Sequence, residues 1–512
     1  MTNYWFQNIK DATRQRGGNI FLNFSSPSNP ASVSYADMEA LSARCANALI
    51  ARGVRAGDRV AAQIEKSADA VTLYFAAVRA GAVFLPLNPA YTEPEVEYLL
   101  SDAEPRLLIC DPQRHDALAK LAAKSGIGSV ETLGGHGEGS LPALCAAMPA
   151  SFEDTPRAAD DLAAILYTSG TTGRPKGAML THGNLASNAA ALARLWRFSP
   201  DDVLLHALPL YHTHGLFVGV NTVALSGGAI LLLSKFEPGD CLKAMERATV
   251  MMGVPTYYTR LLADPGLSRE RAAHMRLFIC GSAPLLAETH AAFFEKTGHV
   301  ILERYGMTET NMITSNPYEG ERRPGTVGFP LPGVELRIAD PETGRALAPR
   351  ETGVIEVNGP NVFKGYWRRS EKNAREFRED GYFITSDLGR VDEDGYVHIL
   401  GRTKDLIISG GLNVYPKEVE SEINALAGVL ESAVIGLPHG DFGEAVVAIV
   451  EVEPGVELDE RMMTATLTAR LAKFKLPKRL IFVAELPRNA MGKVQKNLLR
   501  ETYNDLFFAG ME

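Results

Sequence analysis

Short apolar runs alternate with longer amphipathic segments through the first half of the chain. Residues 59–64 and 82–85 have the length and composition of buried strands, whereas residues 68–79 and 93–101 have the periodicity of helices. Further strand-like runs follow at residues 106–110, 203–208, 229–233 and 277–280. Because strands that alternate with helices form parallel sheets covered by helices, this pattern predicts an α/β fold that binds its ligands at the carboxyl ends of the strands.

The pattern changes after about Val334, where short strands are separated by turns such as residues 340–344. This succession of short strands and turns predicts a small β-rich, barrel-like subdomain. From Asp405 onward, β-like runs alternate with helical segments, which is typical of a small α+β domain. We therefore predict a large N-terminal domain of residues 1–403 and a small C-terminal domain of residues 404–512.

Composition narrows the class of protein. A chain of 512 residues is too long for one hydrophobic core, and its net charge of −9 argues against general binding to nucleic acid or to a membrane surface. The five scattered cysteines form no Cys-x-x-Cys pair and so indicate reduced thiols, as in a cytoplasmic protein. Residues 215–234 are uncharged, but Gly227 and Gly228 divide them into a helix and a strand, which predicts burial in a soluble protein.

Residues 166–178 form the most informative stretch, a loop rich in glycine and hydroxyl side chains. Glycine lets backbone N–H groups converge on a polyphosphate, and Lys176 adds a fixed positive charge. The hydroxyls belong to Thr168, Ser169, Thr171 and Thr172, and the glycines are Gly170, Gly173 and Gly177. A Ser or Thr directly follows the lysine of a Walker A loop, whereas Gly177 follows Lys176 here, so the spacing excludes that class of protein.

The order of residues in this loop resembles the phosphate loop of the adenylate-forming superfamily, which includes acyl-CoA synthetases, peptide-synthetase adenylation domains and luciferases. A second motif that resembles this superfamily runs from Glu303 to Glu309. The resemblance implies that Glu309 holds Mg²⁺ beside ATP and that Thr308 bonds the α-phosphate. It also assigns Glu303, Arg304 and Tyr305 to the ATP site.

Further motifs complete the nucleotide site that the resemblance implies. Asp387 would accept hydrogen bonds from both ribose hydroxyls, and Arg402 would contact the ribose and the α-phosphate. Ser386 stands where family members usually carry glycine, a departure expected to perturb the turn rather than the carboxylate. The segment that would pass beside the adenine and the acyl group consists of Gly281, Ser282 and Ala283.

Lys493 resembles the family lysine that reaches into the site from a mobile C-terminal domain during adenylation. Attack of a carboxylate on the α-phosphate builds negative charge on the equatorial oxygens and on pyrophosphate. An ammonium held there stabilises the transition state more than the ground state. Lys404 occupies the hinge position about which the domain is inferred to rotate. The edge that would then line the pantetheine tunnel for CoA consists of Ser409, Gly410 and Gly411.

Residues 251–262 correspond to the acyl-pocket wall of the family and bear on substrate choice. Arg260 in this wall is expected to be buried, where its charge would penalise a plain fatty acid and would be satisfied by a second carboxylate. A short dicarboxylic acid is therefore predicted. His212 is expected to bond the acid, Ser282 to lie beside it, and Met307 to limit the space for a long chain.

The whole pattern resembles that of bacterial malonyl-CoA synthetases, which implies a ligase that converts malonate to malonyl-CoA through an acyl-adenylate. Methylmalonate is a secondary candidate because one methyl group discriminates by only about 1–3 kcal/mol. Two alternatives remain open: a short-chain monocarboxylate acyl-CoA synthetase, and an adenylation protein that loads a carrier-protein thiol. A non-catalytic nucleotide-binding protein is disfavoured because Lys493, Glu309 and Asp387 are all present.

The expected partners are ATP, CoA and a small dicarboxylic acid, with Mg²⁺ as the metal and with neither nucleic acid nor a membrane. Related acyl-CoA synthetases are switched off by acetylation of the matching lysine, which removes its charge. We therefore expect Lys493 to be the target of a regulatory lysine acetyltransferase and deacetylase.

Overall fold

A computed structural model describes residues 2–24, 31–168, 175–409, 412–439, 442–489 and 492–507. The chain forms two compact units. The first comprises Met1–Leu336 and Val357–Phe383, and the second comprises Arg337–Glu356 and Ile384–Glu512. The domain boundary predicted between residues 403 and 404 lies within the second unit and stays a prediction.

The first unit is built on two sheets. Its strands are β1 (Ile20–Phe24), β2 (Ala31–Ser34), β3 (Arg59–Gln63), β4 (Val83–Pro86), β5 (Leu107–Cys110), β6 (Val130–Thr132), β7 (Leu162–Thr168), β8 (Lys176–Thr181), β9 (Val203–His206), β10 (Ala229–Leu232), β11 (Val250–Gly253), β12 (Leu277–Cys280), β13 (Leu302–Met307), β14 (Asn311–Ser315) and β15 (Phe329–Pro330). One sheet has the order β6-β5-β3-β4-β7-β8, and the other has the order β15-β14-β13-β12-β11-β9-β10-β1-β2.

Most neighbouring strands in these sheets are parallel, and antiparallel pairs occur at the ends, such as β7 with β8 and β13 with β14. The helices of the unit are α1 (Tyr4–Thr13), α2 (Tyr35–Ala51), α3 (Ala68–Arg79), α4 (Glu93–Ala103), α5 (His115–Lys124), α6 (Ser140–Ala146), α7 (His182–Leu195), α8 (Asn221–Ser226), α9 (Pro238–Ala244), α10 (Pro255–Ala263), α11 (Arg269–Ala272), α12 (Ala287–Thr297) and α13 (Ser370–Glu376). The predicted α/β fold with parallel sheets is confirmed.

The uncharged segment of residues 215–234 illustrates how local sequence determines this fold. A π-helix (His214–Val220) leads into α8, Gly227 ends that helix with a φ of +76°, and β10 follows at once. A positive φ is accessible to glycine at little cost, which explains the break. Within the part of the chain that the structure describes, no helix is both long and apolar enough to cross a membrane.

The second unit contains two smaller sheets. Its strands are β16 (Glu335–Ala339), β17 (Gly353–Asn358), β18 (Phe383–Val391), β19 (Val397–Arg402), β20 (Ile407–Ser409), β21 (Leu412–Val414), β22 (Val429–His439), β23 (Gly443–Val452) and β24 (Arg479–Val483). The first four form one sheet, and the others form a five-stranded sheet in which β22 and β23 are antiparallel. Among its described residues, the unit also contains the helices α14 (Pro416–Asn424), α15 (Glu460–Thr468) and α16 (Lys496–Tyr503).

Alternation along β22 and β23 produces two cores in the second unit. Val434, Val446 and Ala448 belong to one buried cluster, whereas Ile435 and Val447 belong to a second. Because successive side chains of a strand point to opposite faces, both faces of this sheet are apolar and both are covered. The small α+β domain that was predicted after Asp405 therefore has a hydrophobic core of its own.

Candidate active site

The phosphate loop lies between two paired strands of the first unit. Thr168 ends β7 and Lys176 begins β8, and these two residues are partners in the antiparallel register. Thr168 and Lys176 therefore sit at the base of the loop. The other predicted members of the loop lie outside the described residues: Ser169, Gly170, Thr171, Thr172 and Gly173.

Lys176 is held in a charged but largely enclosed environment. Only 7% of the residue is exposed, and its Nζ lies 5.3 Å from the centroid of the Tyr366 ring. Burial and the neighbouring Lys372 amine lower the pKa of Lys176 to about 8, against the opposing influence of Glu376 and Glu309. The loop lysine is thus placed among other charged groups rather than in solvent.

Glu309, the predicted magnesium ligand, belongs to the same neighbourhood. The residue is 5% exposed, and its carboxylate accepts a hydrogen bond of 2.8 Å from the hydroxyl of Tyr366. Thr308 precedes it in the turn between β13 and β14, directly after Met307. Among the described residues there is no group of three or more His, Cys, Asp or Glu side chains that could hold a metal ion. One carboxylate supplemented by phosphate oxygens is a usual set of ligands for Mg²⁺, so Glu309 fits that role.

Arg304 and Gly281 form a second feature of the first unit. Arg304 lies in β13 and Gly281 directly follows β12, and these parallel strands are neighbours in which Cys280 is in register with Glu303. A Cβ added to Gly281 would lie 2.5 Å from the Cζ of Arg304, so only glycine leaves room for the guanidinium there. Tyr305 follows Arg304 in β13, which places both on the strand that leads to the Thr308 turn.

The guanidinium of Arg304 is buried without a charge partner that the structure shows. The residue is 3% exposed, and its Nε and Nη2 atoms have no hydrogen-bond partner among the described residues. Burial lowers the pKa of Arg304 to about 10. A buried and incompletely bonded cation is costly, so this position is suited to an anionic ligand.

His214 and Ser282 lie next to this cation. The Oγ of Ser282 is 3.2 Å from the Nδ1 of His214, and the φ of Ser282 is +74°. Burial and the charge of Arg304 both lower the pKa of His214 well below its ordinary value, which favours the neutral imidazole. Ala283 continues the segment after Ser282. The predicted acyl segment is therefore brought beside Arg304.

His212 lies between β9 and the π-helix, where its carbonyl accepts a hydrogen bond of 3.0 Å from the backbone N–H of Leu216. Its predicted role toward the acid stays a prediction, as does the steric role of Met307. His214 follows two residues later and is buried. The pair of histidines thus divides into a partly exposed and a buried member.

Arg260 is not buried, contrary to our expectation. Helix α10 buries Tyr258 and Leu261, which leaves Arg260 on the outer side of the helix with 52% of its side chain exposed. Its guanidinium lies 3.7 Å from Glu237 and 5.0 Å from the centroid of the Phe236 ring. The premise of a buried, unpaired charge at Arg260 is therefore wrong, because the inward face of the helix is set by the spacing of its apolar residues.

In the second unit, Asp387 and Arg402 are paired across two strands. They are partners in the antiparallel register of β18 and β19, with 3.1 Å between the carboxylate of Asp387 and the Nε of Arg402. Ser386, where glycine is usual, has a φ of +61°. This left-handed conformation explains why glycine is usual there, while the carboxylate keeps its place next to Arg402.

Lys493 lies close to this pair within the same unit. Its backbone N–H donates to Asn489, whose own N–H donates to the carbonyl of Lys493, so the loop is closed by two hydrogen bonds of 3.0 and 2.9 Å. Burial of the amine and the charge of Arg402 lower the pKa of Lys493 to about 8, opposed by Asp387, although the residue as a whole stays exposed. The second unit therefore assembles a predicted catalytic lysine beside the predicted ribose ligands.

The remaining predicted residues of the second unit have simple surroundings. Lys404 is exposed in a short 3₁₀ turn (Thr403–Asp405), and its hinge role stays a prediction. Ser409 ends β20, is buried, and pairs with Gly443 of β23. Gly410 and Gly411 lie outside the described residues.

Comparison with known proteins places the chain in a family. The model of the AMP-binding enzyme family matches residues 9–367, and that of the AMP-binding enzyme C-terminal domain matches residues 418–493. The chain belongs to the AMP-binding enzyme family. The two matches together cover the phosphate loop, the motif that ends at Glu309, and Lys493. The predicted membership of the adenylate-forming superfamily is confirmed.

Relatives within the family carry different substrate names. A feruloyl-CoA synthase of Amycolatopsis sp is 38% identical over 92% of this chain and 94% of the relative, and a malonate–CoA ligase of Arabidopsis thaliana is 37% identical over 87% and 78%. The ATP-bound crystal structure of MatB from Rhodopseudomonas palustris is 58% identical over 99% of this chain and 100% of that one, with a TM-score of 0.97. Family membership alone therefore leaves the acid to be argued from the site.

Two residues of this site were missed by the sequence analysis. Tyr366 and Lys372 lie beyond the phosphate loop by about 190 residues along the chain and belong to none of the motifs used. Tyr366 is 57 residues from Glu309, its hydrogen-bond partner. The only local signal is the tripeptide Gly365-Tyr366-Trp367, which does not by itself indicate a ligand.

Proposed function

We propose that the protein is an ATP-dependent malonate–CoA ligase. A carboxylate oxygen of malonate attacks the α-phosphorus of ATP, the bond between the α-phosphorus and the α,β-bridging oxygen breaks, and pyrophosphate leaves as malonyl-adenylate forms. The CoA thiol, having lost its proton, then attacks the acyl carbon and AMP leaves with its phosphate oxygen. The relatives named malonate–CoA ligase and the similarity to MatB support this assignment.

The observation that carries the choice of a dicarboxylic acid is the buried guanidinium of Arg304. Its Nε and Nη2 atoms lack partners among the described residues, and it lies beside the acyl segment at Gly281. Removing one partner of a buried ion pair costs about 3–5 kcal/mol, because a charge is left uncompensated. The second carboxylate of malonate would supply the missing partner, whereas a monocarboxylic acid would bring an apolar chain to the same place. We therefore assign to Arg304 the role that the sequence analysis gave to Arg260.

Several residues are proposed to act at the phosphates. Glu309, together with phosphate oxygens, would hold Mg²⁺, which would supply positive charge next to the leaving pyrophosphate. Thr308 bonds the α-phosphate, and Lys493 offers an ammonium to its equatorial oxygens as negative charge builds there. Asp387 accepts from the ribose hydroxyls, and its ion pair with Arg402 holds the carboxylate in place. Each of these roles is inferred from the family resemblance of the motif that carries the residue.

Regulation of Lys493 by acetylation is also proposed. This proposal rests on the resemblance of the segment that carries Lys493 to the family motif. Acetylation would remove the ammonium on which the first step depends. A cytoplasmic location and a lysine acetyltransferase as partner belong to the same proposal.

Formation of a CoA thioester from a panel of acids tests the proposed function. With Mg-ATP and CoA present, we expect malonate to give the highest kcat/KM, methylmalonate to follow, and succinate, acetate and butyrate to be poor. A preference for butyrate would favour the monocarboxylate synthetase instead. Release of pyrophosphate without any CoA thioester would indicate that a carrier-protein thiol is the acceptor.

A further inference from the structure

A second amine lies beside the lysine of the phosphate loop. Lys372 belongs to α13, and its Nζ lies 5.6 Å from the centroid of the Tyr366 ring, over which the Nζ of Lys176 lies at 5.3 Å. Both amines therefore lie near the same aromatic ring, and the charge of Lys372 contributes to the lowered pKa of Lys176. Like charges so close together repel one another, which points to an anion that would bind between them.

The backbone of the first unit fixes this arrangement. The N–H of Trp367 donates to the carbonyl of Gly177 over 2.8 Å, and the N–H of Met179 donates to the carbonyl of Gly365 over 3.0 Å. The segment that carries Tyr366 is therefore hydrogen-bonded along β8, the strand that begins at Lys176. Helix α13 follows this segment directly, so the position of Lys372 relative to the phosphate loop does not depend on one side-chain contact.

Near Tyr366, the positive charges of Lys176 and Lys372 are balanced only if both carboxylates, Glu309 and Glu376, are included. Lys372 forms an ion pair with Glu376 one helical turn later, and the hydroxyl of Tyr366 donates to Glu309. In the proposed function Glu309 binds Mg²⁺, so its negative charge would be neutralised by the metal and would no longer balance the two amines. Two ammonium groups then face the single carboxylate of Glu376, which leaves a net positive charge next to the phosphate loop.

We propose that Lys372 binds the β- and γ-phosphates of ATP together with Lys176. The two amines supply up to six N–H donors in fixed proximity, which suits the terminal oxygens of a triphosphate. The proposal deepens the proposed function, since it adds a ligand for the pyrophosphate that leaves in the first step. It does not depend on which acid is adenylated.

Binding measurements that compare two nucleotides test this proposal. The full-length protein with Mg²⁺ is titrated calorimetrically with α,β-methylene-ATP, which keeps the β- and γ-phosphates, and with AMP, which lacks them. Lys372→Met is expected to weaken binding of α,β-methylene-ATP about tenfold, because a charged hydrogen bond is lost, and to leave AMP binding within about twofold. Lys372→Arg keeps the charge and is expected to retain most of the affinity.

Two further variants separate phosphate binding from a structural role. Glu376→Gln breaks the same ion pair but keeps the amine, so its affinity for α,β-methylene-ATP should not fall. Arg375→Met removes an exposed cation from the same helix and should change neither affinity. Should Lys372→Met fail to fold, the double variant Lys372→Met with Glu376→Leu removes both charges and is measured in the same way.

Three results would overturn the proposal: unchanged affinity of Lys372→Met for α,β-methylene-ATP, a parallel loss of AMP binding, or an equal loss in Glu376→Gln. None of them depends on the acid. Failure of the wild-type protein to use malonate would contradict the proposed function and leave the nucleotide comparison valid. A selective loss for α,β-methylene-ATP in Lys372→Met alone supports the role of Lys372.

Discussion

Lys493→Ala is expected to lower the rate of malonyl-adenylate formation by about 10²–10³, the usual effect of removing one group that stabilises charge in the transition state. Thioester formation from supplied malonyl-adenylate should stay close to the wild-type rate, since no pyrophosphate leaves in that step. Pyrophosphate exchange with ATP measures the first step, and release of AMP from the supplied adenylate in the presence of CoA measures the second.

Two controls accompany this experiment. Lys473→Ala removes an exposed lysine from the same unit and should change neither step. Lys493→Arg keeps the positive charge and should therefore recover part of the rate of the first step. The recovery should be incomplete because the guanidinium is larger and its donors are arranged differently. Equal losses in both half-reactions of Lys493→Ala would rule out a role confined to adenylation.

Arg304→Met is expected to lower kcat/KM for malonate by roughly 10² or more, because truncating one partner of a buried charge pair costs about 2–5 kcal/mol. Turnover of butyrate should be maintained or should rise, since the site no longer contains an uncompensated cation. The free energy of unfolding should not fall much, because methionine fills an apolar site and replaces a charge whose Nε and Nη2 atoms have no partner among the described residues. Steady-state kinetics with both acids and thermal unfolding give these quantities.

Arg260→Leu is the matched control for Arg304→Met. Arg260 is an arginine of the same unit, half exposed and 3.7 Å from Glu237, so its removal should change the two acids alike and only slightly. A large and selective loss of malonate turnover in Arg260→Leu, with little change in Arg304→Met, would show that Arg260 binds the second carboxylate of malonate. Equal losses for malonate and butyrate in Arg304→Met would instead indicate a general structural role.

The nucleotide motifs were predictable because each is a short contiguous segment with its own chemistry. Thr168 and Lys176 end and begin two antiparallel strands that are joined by a short loop, so residues close together in the sequence stay close together in the fold. Asp387 and Arg402 also lie on two antiparallel strands that are adjacent in the chain, and the register of these strands pairs the two residues. In such cases, residues that are close in the sequence are also close in the folded structure.

Arg260 shows where this reasoning failed. The resemblance placed its segment in the acyl-pocket wall, but the helical spacing of Tyr258 and Leu261 already directs those two residues inward and Arg260 outward. Arg304 was assigned to the ATP site because all residues of the motif from Glu303 to Glu309 were given the same ligand. Its approach to Gly281 depends on the pairing of β12 with β13, which a single sequence does not reveal.

The contacts of Tyr366 could not have been predicted for a different reason. Its hydroxyl reaches Glu309, and its ring lies beneath Lys176 and Lys372, three residues that are scattered along the chain. The hydrogen bonds between β8 and the segment around Gly365, and the one from the N–H of Phe363 to the carbonyl of Glu309, bring them together. Long-range pairing of this kind leaves no periodic signal in either partner.

The most direct test of the central claim is a complete product analysis with malonate, Mg-ATP and CoA as the only substrates. The account predicts malonyl-CoA, AMP and pyrophosphate in equal amounts, with malonyl-adenylate accumulating when CoA is left out. Malonyl-CoA accompanied by ADP and phosphate would contradict an adenylate route. Formation of AMP with butyrate but not with malonate would contradict the assignment of a dicarboxylic acid.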